Sequence, residues 1–153
     1  METALPETSP KVEFLLLADR AEAINGKLYL MGGAWDRMWV ADFAQPQSLS
    51  FAVGLLVPWS ATHEEHRLSI RITDDDETEV ANVQVGFRAG ASAQMQRTES
   101  QRVAMAFQVQ PKLQRPGTYM VRAMIDDDSS PTNARETVFY VNQRPALTLQ
   151  LKP

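Results

Sequence analysis

His63-Glu64-Glu65-His66 is the first place in this chain where residue types and spacing could do chemistry. Two imidazoles around two carboxylates are raw material for a zinc site. The spacing argues against it. A zincin helix sets its histidines four apart with a glutamate between them, and here they are three apart. In an extended strand, residues three apart point to opposite faces. The chain from His66 onward alternates as a strand, so these residues read as a polar loop entering it.

Two acidic runs come next, Asp74-Asp75-Asp76-Glu77 and Asp126-Asp127-Asp128. Clustered carboxylate oxygens are what a hard cation such as calcium requires. If every strand crosses a sandwich from end to end, successive connections alternate between its two ends. The first run follows the fourth strand and the second follows the seventh, which places them at opposite ends and denies them a common site. Each reads alone as a solvated turn whose charge also discourages edge pairing. The same count brings the His63–His66 loop to the end that carries Asp126–Asp128, so a mixed histidine and aspartate site is conceivable there.

Trp35, Trp39 and Trp59 are the remaining candidates, because tryptophan is enriched both in cores and at binding hot spots. Trp35 and Trp39, four apart, would share one face of a strand with Arg37 between them. Packed inward, that face must accommodate an arginine. Turned outward, Trp35, Arg37 and Trp39 form an aromatic and cationic patch suited to a protein or ligand. No nucleophile elbow, phosphate-binding loop or dinucleotide-binding glycine motif occurs. No catalytic residues and no cofactor are therefore assigned.

The elements that must position these residues read as strands almost throughout. Val12 to Asp19 is a near-continuous apolar run, Asn25-Gly26 signals a tight hairpin turn, and Leu28 to Met31 follows it. Gly32-Gly33 marks a bulge or bend. Leu49, Phe51, Val53, Leu55 and Val57 share a face whose reverse is small: Ser50, Ala52 and Gly54. Leu68, Ile70 and Ile72 alternate with Arg67, Ser69 and Arg71. Further strands carry Val83, Val85 and Phe87, then Val103, Met105, Phe107 and Val109. The connection from Arg88 to Ser100 admits a helical turn around Ala93 to Arg97. Leu113 to Tyr119 forms a corner, after which Tyr119, Val121, Ala123 and Ile125 share one face. In immunoglobulin-like sandwiches a tyrosine so placed hydrogen-bonds back across the corner, and Tyr119 fits that role. After the second acidic run, Thr137, Phe139 and Val141 alternate with Val138 and Tyr140. About eight strands with no long helix predict an all-β, two-sheet, immunoglobulin-like β-sandwich.

Residues 1–11 are polar and read as a flexible N-terminal tail, 12–144 as the sandwich, and 145–153 as a C-terminal strand or tail. In that last segment Leu147, Leu149 and Leu151 alternate with polar residues, which suits an exposed edge or self-association. With 19 acidic and 15 basic residues, the net charge of -4 argues against a nucleic-acid partner. No apolar run approaches the roughly 18 residues of a membrane span. The N-terminus lacks the features of a signal peptide. The absence of cysteine rules out disulfides and thiolate sites and fits a reducing compartment, so a cytoplasmic location is expected.

Phe14-Leu15-Leu16-Leu17-Ala18-Asp19 with Ile24 to Gly33, the Pro116-Gly117-Thr118-Tyr119 corner and Val138-Phe139-Tyr140-Val141 together resemble a small uncharacterised family of bacterial sandwich proteins. The resemblance implies a fold and a bacterial origin; it transfers no activity and no site residues. The expectation is a non-enzymatic binding or assembly module, with a protein partner or self-association through Trp35, Arg37, Trp39, Leu147, Leu149 and Leu151. The alternative is a calcium- or zinc-dependent module using the acidic turns or the histidine loop. A third reading, a hydrolase with carboxylate chemistry, requires a deep pocket lined by paired acids.

Overall fold

The structure, a computed structural model, describes residues 8–145. Among the described residues nine strands form two sheets. The apolar run after Lys11 becomes β1, Lys11–Ile24, which turns at Asn25-Gly26 into β2, Lys27–Gly33. Both turn residues have positive φ, 51° and 74°. This is the backbone of the tight hairpin turn that Asn-Gly accommodates with little strain. β3, Arg37–Val40, was not among the eight strands expected; at four residues it is too short for a period of two to declare itself. The rest are β4 (Leu49–Pro58), β5 (His66–Thr73), β6 (Glu79–Phe87), β7 (Ser100–Val109), β8 (Gly117–Ile125) and β9 (Arg135–Gln143).

The first sheet has the order β2-β1-β4-β7 and the second β3-β9-β8-β5-β6. Setting β2 and β3 aside, β1-β4-β7 faces β9-β8-β5-β6, which is the immunoglobulin-like arrangement of strands A, B, E against G, F, C with one addition. β3 extends the second sheet by pairing parallel to β9. Only the first part of β1 pairs with β4, through Ala18; from there to Ile24 it pairs with β2 alone. The β1–β2 ribbon thus carries exposed Tyr29 and Met31 away from the sandwich.

Inward residues follow the expected alternation. Leu49, Phe51, Val53, Leu55 and Val57 of β4 meet Leu68, Ile70 and Ile72 of β5, all essentially inaccessible. Tyr119 stacks on Phe139 with ring centroids 5.4 Å apart, and its hydroxyl donates to the Arg115 carbonyl at 2.7 Å. Burial pushes the phenol above its ordinary pKa, which keeps it a donor. This is the corner that Leu113 to Tyr119 predicts. The connection after β6 contains turns but no helical turn at Ala93 to Arg97; the single helical piece among the described residues is a 3-10 turn, Trp59–Ala61. No helix among the described residues is long and apolar enough to cross a membrane.

Candidate interaction surface

The two acidic runs lie at opposite ends of β5, as the count of connections requires. Asp74 begins the turn after Thr73, and its Oδ1 accepts the backbone N–H groups of Asp76 and Thr78, both at 2.9 Å. Asp74, Asp75 and Asp76 together have the spacing of a cation site. Arg115, from the corner before β8, already supplies the positive charge: its guanidinium lies 2.9 Å from Asp75 and 2.7 Å from Asp76. These carboxylates therefore close a turn and anchor the tyrosine corner.

Asp126 and Asp127 form a turn with φ of 54° and 59°, at the end where β5 begins. Asp126 accepts the Arg67 N–H through Oδ1 at 2.9 Å, and its Oδ2 lies 2.7 Å from His66 Nδ1. His66 is buried, and its Nε2 lies 2.7 Å from the Ala61 carbonyl. Burial opposes charge on the ring, but the Ala61 and Asp126 bonds and the charges of Asp126 and Glu64 outweigh it, so the pKa sits above 6.5. The histidine and aspartate thus do meet, and each ring nitrogen of His66 lies 2.7 Å from an acceptor oxygen. His63 does not join them. It has φ 66° in the loop, and its Nε2 accepts the Ala91 N–H at 3.3 Å. Asp128 turns to its own loop, where Asn133 at 2.7 Å and the Ser130 N–H at 3.0 Å hold its carboxyl below 3.8.

The expected shared face of Trp35, Arg37 and Trp39 is corrected by the structure. Ala34 has φ 62°, which breaks the strand period before β3 begins. Trp35 consequently turns inward, edge-on to Phe139 at 6.2 Å, and its indole N–H is buried with no hydrogen-bond partner among the described residues. Arg37 and Trp39 point outward from β3, while Met38 packs against the core and Val40 is buried. Arg37 lies over the Tyr140 ring, 5.2 Å from its centroid. The C-terminal segment with Leu147, Leu149 and Leu151 lies outside the described residues. Trp59, at the far end of β4, is half-exposed beneath the Arg97 guanidinium at 5.1 Å.

What the second sheet does assemble is an outward strip that crosses its strands. The register places Arg37 beside Tyr140 and Tyr140 beside Thr118; two residues along, Val138 sits beside Met120 and Met120 beside Thr73. Trp39 is 53%, Tyr140 39% and Met120 38% exposed, well above what single buried-face residues would show. The strip borders an open depression of about 480 Å³ with Met120, Val138, Arg71 and Arg122 in its lining and Asp74, Asp75 and Glu77 also lining it. Arg71 and Arg122 are direct cross-strand neighbours, each balanced by an outer carboxylate, Glu79 and Glu136. Tyr140 and Met120 were not among the candidates. The readable signal was their alternation with Phe139 and Tyr119, which turns large apolar side chains to the solvent side.

With this geometry established, the sequence model of a family of unknown function, DUF6941, matches residues 13–134. The chain belongs to that family. The match runs from β1 to the loop before β9, so this DUF6941 chain carries the family pattern over most of its sandwich. No curated protein matches it significantly. Among solved structures, the CARDB domain of a Pyrococcus furiosus protein, determined in complex with di-metal ions, is similar at 13% identity and a TM-score of 0.45. The similarity covers 92% of this chain and 95% of that chain.

Proposed function

We propose that this protein is a non-enzymatic binding module that engages a protein partner through the outer face of its second sheet. The observation that carries this reading is the contiguous strip of Trp39, Arg37, Tyr140 and Met120. Aromatic, methionine and arginine side chains are the types enriched at the centres of protein interfaces. Arg37 is held over Tyr140, so two of the anchors are ordered before a partner arrives, which lowers the entropy cost of docking. The fitting partner is a protein segment that seats an apolar side chain over Met120 and Val138. A cytoplasmic and bacterial setting is part of the same proposal, supported by the absence of cysteine and by the family resemblance.

Three further features support a binding role over a catalytic one. The Asp74–Asp76 carboxylates close their turn and pair with Arg115, His66 is locked between Asp126 and Ala61, and Asp128 is held by its own loop. The tagged chain and its Trp39→Ala and Tyr140→Ala variants should be compared as baits in extract of the native host. A partner retained by the wild type and lost from both variants, with their melting temperatures unchanged, is the expected result. Equal retention by folded face variants would reject this surface.

A further inference from the structure

His66 has acceptors on both sides of its ring: the Asp126 carboxylate 2.7 Å from Nδ1 and the Ala61 carbonyl 2.7 Å from Nε2. A neutral imidazole carries one N–H and can donate to only one of them; the imidazolium donates to both. The side chain is 4% exposed, so water does not readily replace whichever contact is lost. We propose that His66 is a proton-controlled latch, which as imidazolium ties the Trp59–Ala61 turn to the β8–β9 turn and on deprotonation releases the Ala61 carbonyl.

The two contacts are not equally replaceable, and this sets which one opens. Asp126 is fastened to β5 independently of His66, by the Arg67 N–H to its Oδ1 and by its own N–H to the Arg67 carbonyl at 2.8 Å. A neutral His66 therefore keeps its proton on Nδ1, toward the carboxylate, and presents a lone pair to the Ala61 carbonyl. The charged and titratable groups around the ring favour the protonated form. Asp126 faces it from the β8–β9 turn and Glu64 from the preceding loop. Glu65, Arg67 and Asp127 line the hollow beside it, with Glu65 paired to Arg88 at 2.9 Å. From β6 the neighbour is the uncharged Phe87 ring, 5.5 Å away.

The released segment is coupled to a second loop. The His63 N–H donates to the Ala89 carbonyl at 2.8 Å, the Ala91 N–H donates to His63 Nε2, and Arg97 lies over Trp59. Losing the Ala61 contact thus loosens the connection between β4 and β5 together with the one between β6 and β7. The latch links proton concentration to the order of one whole end of the sandwich, far from the Asp74–Asp76 turn. No bond other than N–H is broken; the proton leaves to water.

The test is ring-nitrogen NMR of the full chain with ¹⁵N-labelled histidine, titrated across the neutral range. Both His66 nitrogens should show protonated shifts at pH 5, with a midpoint above that of a free histidine. The Thr62 and Ala89 amides and the Trp59 indole N–H should follow the same midpoint. Asp126→Asn should move that midpoint down. An unprotonated Nε2 or Nδ1 at pH 5 in the wild type would overturn the proposal without recourse to any variant. So would loop signals that ignore the His66 titration.

Discussion

The outer faces of the two sheets are built from the same alternation and end up as opposites. On the first sheet the outward residues of central β4 are Ser50, Ala52 and Gly54, and all three are buried although no second layer among the described residues lies above them. Their neighbours cover them: the Phe14 ring occupies the space a side chain at Gly54 would need, and half-buried Leu16 lies beside Ala52 in register. Above this, Arg102 of β7 clasps Glu13 of β1 through two hydrogen bonds of 2.9 and 2.8 Å, spanning the strand between them. The second sheet places large side chains outward instead and leaves Trp39, Tyr140 and Met120 in solvent. Where β1, β4 and β7 lie side by side, a face whose small residues are roofed by their own neighbours has little apolar surface left to offer; that sheet's exposed Tyr29 and Met31 lie out on the β1–β2 ribbon. A face with three exposed large apolar side chains beside arginines retains the composition of an interface.

The hardest way to break this contrast is at Gly54. Gly54→Val puts a branched side chain into the Phe14 ring and should destabilise the protein by about 1–3 kcal/mol in denaturant unfolding. An unchanged midpoint would mean the first face is not closed by that contact. Next comes the frame that both faces share. Tyr119→Phe removes the hydroxyl bond to Arg115 while keeping the stack on Phe139, and should cost about 1 kcal/mol in the same assay.

The ends of the sandwich should respond to pH in a way that neither face does. His66 has a folded pKa above its ordinary 6.5, so its contribution to stability is complete below pH 6.5 and is lost as pH rises through the folded value. Asp128 has the opposite sign: its contribution is present above pH 3.8 and is lost as pH falls through its lowered value. Unfolding midpoints measured against pH should therefore fall on the alkaline side in the wild type and lose that slope in a His66→Gln variant. Smallest in stability is Trp39→Ala, which should stay within about 0.5 kcal/mol of the wild type by thermal unfolding. The same change should weaken a partner tenfold or more, about 1.4 kcal/mol, because exposed aromatic anchors act on binding and not on folding.

Much of this was legible in the residues. Alternation alone assigns the inward faces of β4, β5 and β8, and the spacing from Leu113 to Tyr119 carries the tyrosine corner. The parity of connections separates the two acidic runs and brings His66 to the end that holds Asp126. What parity could not supply is pairing. Arg115 reaches Asp75 and Asp76 from about forty residues away, and only folding shows that a fixed cation meets one run and a titratable one meets the other. The tryptophans were misplaced for a local reason. A period of two holds only while the backbone stays extended, and the left-handed Ala34 resets it between Gly33 and Arg37. Of the surface expected from Trp35, Arg37 and Trp39, the last two remain outward, and Tyr140 with Met120 takes the place of Trp35.

The comparison of faces can be decided in the native host by placing one photo-crosslinking residue at a time. One chain carries it at position 140 on the second sheet, another at position 104, which shares the outer face of the first sheet with Ala52 and Gly54. A discrete crosslinked product is expected from position 140 and none from position 104. A product from position 104 alone would place the partner on the first sheet and reject the Trp39–Tyr140–Met120 face.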